Sequence, residues 1–303
     1  MTPRNAWVDA ARGAALIPMV VFHFAWDLST FGMIETQIAA DPFWMWLARL
    51  TAGSFLFVSG IGLALGARAG VAPRAYLRRI GVIAAAAALV SIATFIYLPG
   101  FGVFFGILHA IALGSLLAWP LLRAPGWLVG ALAAATFTAP LWAAHEFFNA
   151  PVFWWTGLSL RVAPSADYIP VLPWIAPMLA GVLLGRAIPM QAGPAPRWLT
   201  WPGRHTLAIY LLHQPVLIGG LLAVQPLLTP SPQAIALEFN QAFLTDCRNA
   251  GQPDAVCAIY AGCATSRLEP LLSAAHRKRM TLPQREEWTR VLEACEAEAL
   301  RPR

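Results

Sequence analysis

Long apolar stretches separated by brief polar punctuation fill the first three quarters of the chain. Seven segments, 8–27, 43–66, 79–98, 102–121, 126–144, 170–188 and 207–227, are almost continuously apolar. Each is close to the roughly 20 residues that a helix needs to cross about 30 Å of hydrocarbon. Pro99-Gly100, Pro120, Pro125-Gly126 and Pro170 fall at their proposed ends, where a missing backbone N–H costs least. The pattern changes near Thr229. Beyond it, shorter mixed stretches predict three helices over 233–249, 253–275 and 284–299, with Pro253-Asp254 and Thr281-Leu282-Pro283 as helix starts. The expectation is an all-α protein: a polytopic transmembrane bundle of about seven spans (1–228), then a small helical domain (229–303).

Charge sharpens this division. Residues 1–228 hold 12 arginines and 6 acidic residues, whereas the last 75 hold 9 basic and 9 acidic ones. Overall 58% of residues are hydrophobic and 12% charged, against roughly 25% charged in an average soluble protein. The net charge of +6 therefore belongs to the membrane part. Its arginines are scattered at helix ends rather than clustered, which argues against nucleic-acid binding. One set of ends collects Arg4, Arg12, Arg68, Arg74, Arg78, Arg79, Arg123, Arg186, Arg197 and Arg204; the other holds Arg49 and Arg161 with Asp27, Glu35, Asp41, Glu146 and Asp167. The positive-inside rule then predicts a cytoplasmic N-terminus and, after seven spans, a tail on the outer side. The first apolar stretch lacks a small-residue cleavage site and is expected to be retained. All four cysteines, Cys247, Cys257, Cys263 and Cys295, lie in the tail. An even count in a small domain predicts two disulfides and an oxidising compartment, hence a periplasmic tail. Cys257 and Cys263 share one proposed helix, so Cys247 should pair with one of them and Cys295 with the other. The alternative is free or metal-binding thiols in a cytoplasmic tail, but the spacing resembles no standard zinc site and no metal is expected.

Ionisable groups inside a bilayer are costly and so become functional candidates. His23, with Asp27 four residues on, places imidazole and carboxylate on one helix face near the outer surface. That arrangement suits a general base, the carboxylate fixing the tautomer. His109 and His213 also fall within proposed spans; the competing reading for all three is interhelical packing. His145-Glu146, at an outer helix end, reads as an interfacial pair. Phe147, Phe148, Phe153, Trp154 and Trp155 read first as interfacial anchors. On the arginine-rich side, Arg12, Arg78, Arg79, Arg204 and His205 could gather around an anionic ligand such as a nucleotide phosphate. There is no Walker loop, glycine-rich dinucleotide fingerprint or serine nucleophile elbow.

The run "VDAARGAALIPMVVFHFAWDLSTFG", with "FLFVSGIGLALGAR", "FGILHAIALGSLL" and "GRHTLAIYLLHQPVL", resembles the bacterial heparan-α-glucosaminide N-acetyltransferase-like membrane proteins over roughly residues 5–222. The opening is also similar to that of the broader acyltransferase-3 group, in which an Arg precedes a His by about ten residues, as Arg12 precedes His23. The resemblance implies acyl transfer across the membrane, from cytoplasmic acyl-coenzyme A (acetyl-CoA above all) to a hydroxyl or amine of a cell-envelope glycan or lipid, in a bacterial inner membrane. It implies His23 as base or acyl carrier, Asp27 as its orienting partner, and His109 as a further catalytic candidate. Arg12, Arg78, Arg204 and His213 become substrate or coenzyme A contacts. The sequence departs from the lysosomal enzyme in one respect: that enzyme carries its catalytic histidine between the first two motif helices, and residues 28–44 here contain none. Proton-coupled transport through His23, Asp27 and His109, or an envelope scaffold, are the alternatives; no internal repeat supports a transporter.

Overall fold

The computed structural model of the chain describes residues 5–34, 36–98, 100–162, 164–190, 193–224, 231–276 and 281–300. Arg4, Glu35 and the basic residues at 277–279, all part of the charge argument, lie outside the described residues. The regular elements are helices: α1 (Ala6–Thr30), α2 (Pro42–Arg68), α3 (Pro73–Tyr97), α4 (Ile107–Ala118), α5 (Gly126–Ala143), α6 (Val171–Ala187), α7 (Arg197–Arg204), α8 (Thr206–Val224), α9 (Pro232–Asn249), α10 (Asp254–His276) and α11 (Leu282–Ala299). The all-α expectation is met. Five of the seven apolar helices, α1, α2, α3, α5 and α8, are long and apolar enough to cross a membrane, while α4 and α6 are shorter.

The shortening of α4 has a specific cause. Residues 102–106, expected to be helical, are not, and the stretch 101–105 pairs with 166–169: Ala166 N–H donates to the Phe101 carbonyl at 3.0 Å and Ile169 N–H to that of Phe105 at 2.9 Å. Two side chains then set the helix start. Asp167 Oδ2 accepts from Ile107 N–H at 2.7 Å, and His109 Nδ1 accepts from Gly106 N–H at 3.2 Å. The N–H groups of Gly106 and Ile107, which a preceding helical turn would otherwise have to satisfy, are thereby paired with side chains. α7 is an element the hydropathy pattern did not announce. It is eight residues long and lies in a stretch read as a connection between spans.

The chain divides into two compact units, Met1–His23 with Pro42–Val216, and Phe24–Asp41 with Leu217–Arg303, so the boundaries cut through α1 and α8. In the first unit α2 packs along α6, and α6 along α5. Glycines allow the α2–α6 approach: a Cβ on Gly60 would overlap the Met178 carbonyl, and one on Gly181 would overlap the Phe57 carbonyl. Lipid tails are as apolar as leucine, so burial alone does not drive such helices together, and close backbone contact at small residues does much of that work. Around it, Leu16, Met19, Leu56, Leu63, Ile107, Met178, Leu179 and Val182 form a buried cluster.

The second unit contains the tail helices α9–α11, α10 packing against both others. Their core is small: Ile235, Ala264, Leu268, Leu271 and Leu272, flanked by Phe239, Phe243 and Trp288. Disulfides join Cys247 to Cys257 and Cys263 to Cys295, one of the pairings left open by the sequence. Thr281 starts α11 with a capping box, its N–H donating to Gln284 Oε1 at 2.9 Å.

Candidate functional site

Arginine does two different jobs at one end of the first unit. Arg68, ending α2, donates through Nη1 to the carbonyls of Gly185 (3.0 Å) and Ile188 (2.7 Å). Arg186, ending α6, donates through Nη1 to the Ala124 carbonyl at 2.8 Å and through Nη2 to that of Leu121. Both satisfy carbonyls at helix and turn ends, a structural duty. Arg12, Arg74, Arg78, Arg79 and Arg204 instead line one cavity of about 1300 Å³. Three of them, Arg12, Arg78 and Arg204, are contacts expected from the sequence. Arg79 was grouped with them, and Arg74 was read only as a topology signal. His205, also grouped with them, does not line the cavity; its Nδ1 lies 2.9 Å from the Trp201 carbonyl.

The cavity also has apolar walls, among them Phe55, Ile83, Ile107, Leu108, Ile111 and Leu207, and Tyr210 lines it too. Asp9, likewise a lining residue, binds Arg12 Nη1 at 2.9 Å. A large cavity lined by both guanidinium groups and apolar side chains suits an amphiphile carrying several negative charges.

The structure brings two of the candidate histidines together. The rings of His23, on α1, and His213, on α8, meet edge to face with centroids 4.8 Å apart. His213 Nδ1 lies 2.6 Å from the Tyr210 carbonyl. A carbonyl only accepts, so Nδ1 donates and the neutral ring keeps its lone pair on Nε2. That Nε2 is buried and has no hydrogen-bond partner among the described residues. Tyr210, one turn earlier on α8, is the link between this pair and the cavity wall. Asp27, one turn beyond His23 on α1, belongs to the second unit and is 4% exposed.

His109 is engaged elsewhere. Because Gly106 N–H donates to its Nδ1, the neutral ring carries its proton on Nε2, which lies 3.4 Å from Ser91 Oγ. Ser91 in turn donates to the Val103 carbonyl at 2.6 Å. With both nitrogens used, His109 holds the start of α4. Asp167, read only as an outer-side charge, supports the same start; it also bonds the Tyr210 hydroxyl, and burial pushes its carboxyl up to about 6. His145 caps the turn Glu146–Asn149, its Nδ1 accepting from Phe147 N–H at 3.1 Å. Phe147, Phe148 and Phe153 form one ring cluster, and the Trp154 ring meets that of Phe104 at a tilt, with centroids 5.0 Å apart. Among the described residues, no three His, Cys, Asp or Glu side chains lie close enough to hold a metal ion.

Spacing alone could have suggested Asp9, three residues before Arg12 and so on the same helix face. No local signal marks Tyr210 or Asp167, whose importance comes from segments far apart in the chain. In comparisons with known proteins, the family model described as "Heparan-alpha-glucosaminide N-acetyltransferase, catalytic" matches residues 4–215. No curated protein and no solved structure matches the chain.

Proposed function

Because the chain belongs to the heparan-alpha-glucosaminide N-acetyltransferase catalytic family, we propose that it is a membrane acyltransferase. On this reading it moves an acetyl group from acetyl-CoA to a hydroxyl or amine of a cell-envelope glycan or lipid. Acetyl-CoA is the donor that the family uses. The observation that carries the proposal is the gathering of five arginines in one cavity with apolar walls. Guanidinium groups match phosphate oxygens in fork geometry, and the apolar walls suit the uncharged arm that bears the thioester. Arg12, Arg78 and Arg204 take the phosphate contacts, joined by Arg74 and Arg79.

The paired histidines supply the proton chemistry. The acceptor's oxygen or nitrogen attacks the thioester carbonyl and gives up its proton to an imidazole; the C–S bond breaks, and the thiolate leaves with that proton as the coenzyme A thiol. His213 presents an unprotonated Nε2, and His23 lies against its ring. His23 is the proposed base or transient acyl carrier, Asp27 its orienting partner, and His109 a positioning residue at the start of α4. The arginine-rich end faces the cytoplasm of a bacterial inner membrane, and the disulfide-bearing tail faces the periplasm. The one-sided arginines and the two disulfides support that orientation.

Calorimetric titration of acetyl-CoA into the detergent-purified protein tests this. Saturable binding is expected, and His23→Ala should keep binding while losing transfer to the acceptor. No binding of acetyl- or longer acyl-CoA would overturn the donor reading. The half-buried histidine pair favours one other reading, proton-coupled transport, which predicts solute uptake into liposomes that needs no acyl donor.

A further inference from the structure

Asp9 presents a puzzle in a cavity assigned to an anion. Its side chain is 2% exposed, and a carboxylate in the wall of such a cavity repels the ligand by simple Coulomb reasoning. Its ion pairs explain its presence. Oδ1 binds Arg12 Nη1 at 2.9 Å, and Oδ2 lies 3.5 Å from Arg204 Nε. One buried carboxylate thus joins a guanidinium on α1 to another on α7, 192 residues further along the chain.

The surrounding backbone is shaped for this junction. A Cβ on Gly203 would overlap the Asp9 carbonyl, one on Gly13 would overlap that of Leu199, and one on Gly62 would come 2.5 Å from Arg12 Nη2. Glycines on α7, α1 and α2 therefore let three backbones close around Asp9 and its two arginines. Arg204 meets Asp9 through Nε, and its side chain is 52% exposed. Its terminal nitrogens Nη1 and Nη2 are then the donors left for the cavity.

We propose that Asp9 is a positioning residue that locks the guanidinium groups of Arg12 and Arg204 into one arrangement for receiving the phosphates of the donor nucleotide. The proposal rests on the donor reading above. Ordering long, rotamer-rich arginine side chains costs entropy; a clasp that fixes two of them beforehand removes part of that cost from binding.

The sign of one substitution separates this from bulk electrostatics. Asp9→Asn removes a negative charge from the cavity wall, so charge alone predicts tighter binding of acetyl-CoA. The clasp predicts weaker binding by roughly tenfold, the size of one lost charge-assisted contact. Titration of the full-length protein in detergent reads the difference, with gel filtration confirming that the variant is folded. Arg204→Lys, at a half-exposed side chain, provides a second test if Asp9→Asn does not fold. It keeps the charge but lacks the fork, and a similar loss is expected. Affinity unchanged or raised in Asp9→Asn, or unchanged in Arg204→Lys, overturns the clasp while leaving the donor reading intact. Failure of the natural sequence to bind acetyl-CoA overturns both.

Discussion

The two units of this chain solve the packing problem in opposite ways. The first brings helices together by removing side chains: Gly60 and Gly181 allow α2 and α6 to touch backbone to backbone. The second has a small core, five buried residues among those described, and ties it with two covalent bonds. The two devices answer to different physical limits. In lipid, apolar burial offers little net drive, so close contact and hydrogen bonds dominate. The tail helices α9–α11 bury little apolar surface of their own, and the disulfides make up the deficit.

The largest expected effect comes from filling the glycine contact. Gly181→Leu should cost more than about 4 kcal/mol, because the new side chain must displace the backbone of α2; the check is loss of a monodisperse peak in detergent gel filtration. Removal of the longer disulfide by Cys263→Ser with Cys295→Ser should destabilise the second unit by about 3 to 4 kcal/mol. Limited proteolysis of the tail should read that loss, with the glycine-packed unit remaining resistant; an unchanged tail would break the comparison.

Asp167 tests the polar side of the first unit. Its folded-state pKa of about 6 lies above the ordinary 3.8, so the fold favours the protonated form. The associated stability is full below pH 3.8 and is lost as pH rises through 6. Asp167→Asn should remove this dependence, worth at most about 3 kcal/mol, and flatten melting temperature against pH between those limits. The smallest effect sharpens the contrast in glycine use. Gly262, within α10, has open space where a Cβ would stand. Gly262→Ala should therefore stabilise the second unit by about 0.5 to 1 kcal/mol, as helix propensity predicts. A thermal melt reads the gain, and the sign is opposite to that at Gly181.

Much of the fold was legible because long apolar runs and tail helices are local signals. The proposed segment 43–66 became Pro42–Arg68, and 284–299 became Leu282–Ala299. The start of α4 was not legible, because Asp167, sixty residues away, helps to set it. α7 was missed because an eight-residue helix inside a connection leaves too short a pattern. At the candidate site, the arginines of the cavity could be named but not sorted from their neighbours. Nothing near Arg68 or Arg78 says that one serves carbonyls and the other lines a cavity. Likewise the histidines at 23, 109 and 213 were equivalent as buried polar residues until their hydrogen bonds distinguished them.

By itself, the sequence determined the helical class, the change of character near Thr229 and the tail as the place of both disulfides. Each depends on composition or on spacing within one element. The tertiary structure alone decided that His23 meets His213, that His109 caps a helix, that five arginines share a cavity and that Asp9 joins two of them. These are meetings between distant segments, and their geometry is set by how closely helices can approach, a property of several elements at once.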